Sequence, residues 1–154
     1  MGDNRAKRPT ANPYEKLDEP NQERKPAITA SQIMTSPVVT VSTNTAVDEI
    51  RKLFHLHRFH HLIVVSDAAK LNGIISDRDV LAAKASDDQA KDIMTPHVLT
   101  AHPSTRIRAV AAILFEERIG AIPIVGEQGE LLGILTRSDI LRTVVNHAPL
   151  ELWM

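Results

Sequence analysis

The sequence predicts an α/β (α+β) protein with two tandem β-α-β-β-α units packed as an intramolecular pseudo-twofold dimer. The main observation is a repeat at an offset of 60 residues: Ile33-Met34-Thr35 returns as Ile93-Met94-Thr95, and the segment from Gly73 to Asp79 returns as that from Gly133 to Asp139. Strand-like and helix-like patterns also follow the same order in both copies. Two similar units that cannot each close a core are expected to pack together and to form clefts between them.

The first copy begins with a short helical turn at residues 29–34, followed by a β-rich run at 38–41. Apolar residues at helical spacing predict an amphipathic helix over 46–57, capped by Asn44 or Thr45. Apolar runs at 62–65 and 71–75 flank a polar turn and predict a β-hairpin, after which Ser76 starts another helix.

The second copy repeats this order, with a turn at 92–94, a strand from Val98, a helix over 106–117, strands around 122–125 and 131–135, and a helix from Arg137. We therefore divide the chain into four parts. These are a flexible polar tail at 1–27, a first unit at 28–86, a second unit at 87–146, and an apolar tail at 147–154 whose Trp153 is expected to dock on the body.

Composition narrows the function classes. Hydrophobic residues make up 43% of the chain, and 18 basic residues balance 19 acidic ones, which argues against broad attraction to nucleic acid or to an anionic membrane. The chain has no cysteine, which excludes disulfides, thiolate nucleophiles and cysteine-ligated zinc. The first residues lack an apolar stretch, so we expect neither a signal peptide nor a membrane anchor, and a cytoplasmic location.

The repeated segment Gly-apolar-apolar-Ser/Thr-x-x-Asp lies where a strand passes into a helix. On its own it resembles a capping box, which needs no ligand. Its recurrence and the free amides of the helical turn also suit a nucleotide. An ionised Asp accepts hydrogen bonds only, so Asp79 and Asp139 suit ribose hydroxyls and would repel phosphate. The candidate phosphate donors are Ser76, Thr136, Arg78 and Arg137.

The duplicated unit, the paired Met-Thr turns and the paired Gly-to-Asp segments resemble a CBS domain pair, or Bateman module, over about residues 28–146. The resemblance implies a regulatory rather than catalytic protein that binds AMP, ADP, ATP or S-adenosylmethionine between its copies. It also implies further association into a homodimer.

Carried over by position, the resemblance implies that Asp79 and Asp139 hold ribose, and that Ser76 and Thr136 face phosphate. Arg78 and Arg137 would reach the phosphate of the neighbouring cleft. The stretches that would hold adenine are those containing Val38 and Val39 in one copy and Val98 in the other.

The copies differ where the second has Gly120-Ala121-Ile122-Pro123 and the first has His60-His61-Leu62-Ile63. The sequence favours the cleft with Asp139 if only one binds, because the small residues Gly120 and Ala121 leave room for a base. Ile122, Pro123 and His61 complete the predicted binding set.

Histidines at 55, 57, 60 and 61 invite a metal hypothesis, but no cysteine or carboxylate set completes a site, so we predict no metal there. His60 or His61 is better suited to facing phosphate or sensing pH. His97 and His102 are expected to be loop residues, and Met34 and Met94 to fill apolar gaps.

The leading hypothesis is a regulatory module that senses adenine nucleotide and acts on an unknown effector protein. The first alternative is a homodimeric interaction scaffold with no functional ligand site. A metal enzyme that uses the histidine cluster ranks below both.

Overall fold

The computed structural model describes residues 28–84 and 88–147. The predicted N-terminal tail and the C-terminal apolar tail with Trp153 lie outside this part of the chain. Residues 85–87, where the two predicted units meet, also lie outside it.

The first copy contains a three-stranded sheet with two longer helices. Strand β1 is parallel to β2, and β2 is antiparallel to β3 with an irregularity at Val64/Val65. The predicted hairpin is therefore present. The elements are α1 (Ala30–Ile33), β1 (Thr40–Ser42), α2 (Val47–His57), β2 (His61–Val65), β3 (Leu71–Ser76) and α3 (Asp77–Ala82).

The second copy repeats the hairpin but not the first strand. Its elements are α4 (Ala90–Ile93), α5 (Ile107–Glu116), β4 (Ala121–Val125), β5 (Leu131–Thr136) and α6 (Arg137–His147), with β4 antiparallel to β5.

The strand predicted from Val98 is reduced to one parallel bridge between Ala101 and Ile124. In the first copy the matching ladder extends to Thr40 opposite Ile63. The residue at the position of Ile63 is Pro123, which has no N–H to donate to the next bond of the ladder.

The cap predicted for α2 also differs. The helix starts one residue later than predicted, with Ala46 as its N-cap and no side-chain cap bond. The hydroxyl of Thr45 instead accepts a hydrogen bond of 3.1 Å from the Ser42 amide, so it closes the preceding turn.

The turn that opens each copy packs on the other copy. Ala30 of α1 lies in the core of the second copy, and Ala90 of α4 lies in the core of the first. Thr35 exchanges hydrogen bonds of 2.9 and 3.1 Å with Ile134, and Thr95 exchanges bonds of 2.8 and 3.1 Å with Ile74. Each hairpin is therefore extended by the opening segment of the other copy, and the two copies are interlocked.

A further apolar cluster joins the copies directly. Its buried members are Ile63, Ala121 and Ile134. The methionines fill space as predicted: Met34 packs over Gly133 and Met94 over Gly73, where a Cβ would lie 2.5 Å from the sulfur in each case. The glycine that opens each repeated segment is thus required by close approach rather than by backbone conformation.

Candidate functional site

A cleft of about 890 Å³ opens where β3 passes into α3 and β5 passes into α6. Both copies contribute to it, and its volume falls in the range of small-molecule sites, roughly 300–1,000 Å³. Asp79 and Asp139 both line this one space.

Each of these aspartates closes a capping box at the start of its helix. Oδ2 of Asp79 accepts hydrogen bonds from the Ser76 amide (2.7 Å) and hydroxyl (2.8 Å), and Oδ2 of Asp139 accepts the same pair from Thr136 (both 2.9 Å). Capping therefore occupies one carboxylate oxygen in each copy. The other oxygen, Oδ1, remains for another partner.

The hydroxyls of Ser76 and Thr136 are also committed to these boxes. Each donates its single proton to the aspartate and accepts from the amide of that aspartate at 3.3 Å. A hydroxyl has only one proton to donate. In this arrangement neither group donates to a phosphate, and the guanidinium groups are the better donors.

The two aspartates differ in their surroundings. Asp139 is buried, with 7% of its surface exposed, whereas Asp79 is half-buried. Oδ1 of Asp139 lies 3.5 Å from Nη1 of Arg142, a side chain that is 70% exposed. Within residues 28–84 and 88–147, Asp79 forms no ion pair.

Arginine dominates the charge of the cleft. Its lining holds five arginines against four carboxylates, although the chain as a whole has a net charge of −1. Arg137 is oriented by a 2.9 Å bond from its Nε to the carbonyl of Ile119. The arginines are Arg58, Arg78, Arg118, Arg137 and Arg142.

Three residues that line the cleft have left-handed backbone. Arg58, His97 and Arg118 have φ of 54°, 55° and 55°. Non-glycine residues adopt this conformation at some energetic cost, and such residues concentrate at functional sites. Arg58 and Arg118 occupy equivalent positions of the repeat.

His60 and His61 have separate environments. Nδ1 of His60 is 2.8 Å from Oδ2 of Asp77, and this hydrogen bond lowers the pKa of the Asp77 carboxyl. Burial lowers the pKa of His61; the charges of Asp77 and Asp79 oppose that effect. The imidazole of His61 is therefore held toward its neutral form.

The ring of His61 fills the space that Gly120 leaves open. A Cβ at position 120 would lie 2.6 Å from Cε1 and Nε2 of His61. The expectation that Gly120 makes room for a base must therefore be corrected, because an imidazole from the other copy occupies that room.

Twelve of the fourteen predicted binding residues line the cleft. Ile122 and Pro123 do not, because β4 is buried along residues 121–124 and both side chains lie inside the protein. Three arginines of the cleft, Arg58, Arg118 and Arg142, were not among the predicted residues. The match of Arg58 to Arg118 in the repeat was the available indication. The twelve are Val38, Val39, His61, Ser76, Arg78, Asp79, Val98, Gly120, Ala121, Thr136, Arg137 and Asp139.

The other histidines do not gather into one site. His55 and His57 are exposed, and the ring of His57 stacks on Phe59 with centroids 5.4 Å apart. Across residues 28–84 and 88–147, no group of three or more His, Cys, Asp or Glu is placed to hold a metal ion. None of the helices in this part of the chain is both long and apolar enough to cross a bilayer.

The family model for the CBS domain matches the chain twice, at residues 30–86 and 90–146. The chain belongs to the CBS domain family. This confirms the resemblance found in the repeated segments and the tandem arrangement of the two copies.

Solved CBS pairs share the fold over most of their length. CBSX2 of Arabidopsis thaliana, in a complex with AMP, has a TM-score of 0.71 and 30% identity, over 77% of this chain and 96% of that one. The CBS domain pair of protein MJ0100, in a complex with 5′-methylthioadenosine and S-adenosyl-L-methionine, has a TM-score of 0.74 and 30% identity, over 79% and 98%. These structures support the pseudo-twofold packing of the two units.

Curated relatives of this chain include enzymes that it matches only in part. An L-aspartate semialdehyde sulfurtransferase of Methanocaldococcus jannaschii is 31% identical over 77% of this chain and 24% of its own length. An inosine-5′-monophosphate dehydrogenase of the same organism is 32% identical over 73% and 23%. Because the chain spans about a quarter of these relatives, their similarity indicates a shared CBS pair and not a shared reaction.

Proposed function

We propose that this CBS pair is a regulatory module that binds an adenosine-containing ligand in its cleft and passes the bound state on to a protein partner. The candidate ligands are AMP, ADP, ATP and S-adenosylmethionine. AMP in CBSX2, the two adenosyl compounds in MJ0100 and ATP in the cytosolic domain of the Mg²⁺ channel MgtE support this class of ligand. The proposal places the protein in the cytoplasm.

One observation carries the proposal: two aspartates, each with one oxygen used for capping, line a single cleft rich in arginine. Oδ1 of each aspartate can accept from the vicinal hydroxyls of a ribose, and the guanidinium groups can bind phosphate. The apolar side chains of Val38, Val39 and Val98 offer a surface for the base.

The test is calorimetric titration of the full chain with AMP, ADP, ATP and S-adenosylmethionine. The variants Asp79→Asn and Asp139→Asn keep an oxygen for the cap but replace the other oxygen with a donor. Each should weaken binding by about 10-fold or more at its half of the cleft, since hydrogen bonds to charged groups contribute roughly 1.5–3 kcal/mol.

Asp92→Asn is the matched control. Asp92 also closes a capping box, with Oδ2 accepting from the Gln89 amide at 2.8 Å, but it does not line the cleft. This variant should bind as the wild type does. Absence of binding by every ligand to the wild type would contradict the proposal and favour a scaffold.

The scaffold remains the second candidate because apolar side chains are exposed at equivalent positions of the two copies. Leu81 on α3 is 83% exposed and Leu141 on α6 is 63% exposed. Phe115 on α5 is 83% exposed as well. Such surfaces support self-association, which is compatible with either function.

A further inference from the structure

The two repeated segments at residues 76–82 and 136–142, which both contribute to the cleft, carry opposite net charge. Near the first aspartate the segment has two carboxylates, Asp77 and Asp79, and one guanidinium, Arg78, for a net charge of −1. Near the second it has one carboxylate, Asp139, and two guanidinium groups, for a net charge of +1. The duplicated backbone therefore presents two chemically different half-sites.

Arg142 accounts for half of this difference and has no counterpart in the first copy, where Ala82 occupies its position. Its Nη1 lies 3.5 Å from Oδ1 of Asp139, the oxygen that the capping box leaves over. Any ligand whose ribose approaches that oxygen therefore meets the guanidinium of Arg142.

Arg142 can exchange its ion pair with Asp139 for one with a phosphate. Arg142 is 70% exposed and lies three residues after Asp139 on one helix, and its 3.5 Å distance from the carboxylate is longer than that of a charge-assisted hydrogen bond. A phosphate offers the guanidinium a doubly charged acceptor with matching two-oxygen geometry. Transfer of Arg142 to phosphate frees Oδ1 of Asp139 for ribose.

The first half-site has no guanidinium at the position equivalent to Arg142. Two carboxylates, Asp77 and Asp79, flank Arg78 in sequence. Asp77 also forms a 2.8 Å hydrogen bond with His60, which lowers the pKa of the Asp77 carboxyl and favours its charged form. A phosphate beside this segment would meet two repelling carboxylates against one attracting guanidinium, Arg78. An adenosine compound without negative charge on its 5′ group avoids that repulsion.

We propose that the cleft sorts adenosine ligands by charge, with Arg142 as the specificity-determining residue. The Asp139 half takes a ligand with a 5′ phosphate, and the Asp79 half takes an uncharged or cationic adenosyl compound. This rests on the proposed function and deepens it by assigning a ligand class to each half.

The test uses AMP and adenosine, two probes that differ only in the phosphate, in calorimetric titrations of the full chain. Arg142→Ala should weaken AMP binding about 10-fold or more at one site and leave adenosine binding unchanged or tighter. Ala82→Arg should raise the affinity for AMP relative to adenosine at the other site. Arg51→Ala is the control, because Arg51 also pairs with an aspartate at i,i+3 spacing, Asp48, but away from the cleft.

The outcomes separate the two proposals. If the wild type binds both probes and Arg142→Ala leaves the ratio of their affinities unchanged, charge sorting by Arg142 is wrong while ligand binding stands. Equal weakening of both probes assigns Arg142 a structural role and also overturns the inference. If the wild type binds neither probe nor any other adenosyl ligand, the proposed function fails and the inference fails with it.

Discussion

Replacing Gly133 with alanine tests how tightly the copies interlock. A Cβ at this position would lie 2.5 Å from Sδ and 2.8 Å from Cγ of Met34, and 3.0 Å from the carbonyl oxygen of Thr35. Relaxed contacts between such atoms need about 3.5–4.0 Å. The methionine can turn aside, but the Thr35 backbone is held to Ile134 by hydrogen bonds of 2.9 and 3.1 Å.

At Gly73 the three nearest atoms all belong to the side chain of Met94, at 2.5, 2.9 and 3.1 Å, so any backbone contact there is no closer than 3.1 Å. Overpacking typically costs about 1–3 kcal/mol. We expect Gly133→Ala to lie near the upper end, at about 2–3 kcal/mol, and Gly73→Ala at about 1–2 kcal/mol. The stability gained by removing a glycine from a strand is the same in both variants, so it does not affect the comparison.

Thermal unfolding of the two single variants measures the difference. An unfolding entropy of roughly 2.1 cal/mol/K per residue over about 120 ordered residues gives a fall in Tm of about 8–12 °C for Gly133→Ala and about 4–8 °C for Gly73→Ala. Addition of Met34→Ala to Gly133→Ala removes the contact with sulfur but not that with the Thr35 oxygen. Equal falls in Tm for the two glycine variants would refute the role assigned to the backbone contact.

Two further predictions concern pH and association. Because the pKa of His61 is lowered by burial, the unfolded chain binds more protons than the folded one below about pH 6.5. Stability should therefore fall as the pH drops through this value, and the pH dependence of Tm should be flatter in His61→Ala; an unchanged slope would contradict the assignment. We expect a lower dimer fraction in sedimentation for Leu81→Glu, for Leu141→Glu and for the double variant. The Tm of the monomer should change by no more than about 2 °C. An unaltered association constant would exclude the helix faces that carry these leucines from the dimer interface.

The repeat made much of the fold predictable from sequence. The hairpins β2-β3 and β4-β5 follow from apolar runs with polar turns between them, and the helix starts at Ser76 and Thr136 follow from the capping pattern. These features depend on residues close together in the chain. Local sequence is sufficient for them.

The crossing of the copies was not predictable in this way. The segments around Thr35 and Thr95 have the same local pattern whether they pair with their own hairpin or with the other one. The choice depends on how the cores of the two copies share Ala30 and Ala90, which is a matter of tertiary packing.

The candidate site also has residues that the sequence pattern predicts and residues that it does not. Asp79 and Asp139 were predicted as binding residues because they recur, whereas Arg142 was not predicted because its repeat counterpart is Ala82. A search for repeated residues finds what the two halves have in common. It passes over the substitutions that make them different, such as His61 of one copy filling the space over Gly120 of the other.

Duplication followed by divergence at these few positions has a consequence for regulation. A ligand shifts an equilibrium only through a difference in its affinity for the two states. Two identical half-sites in one cleft would answer to a single ligand class. Under the charge sorting proposed above, two ligand classes would act on the same packing of the copies, through the crossed pairs of Thr35 with Ile134 and Thr95 with Ile74. Any coupling between the two ligands would then be reciprocal.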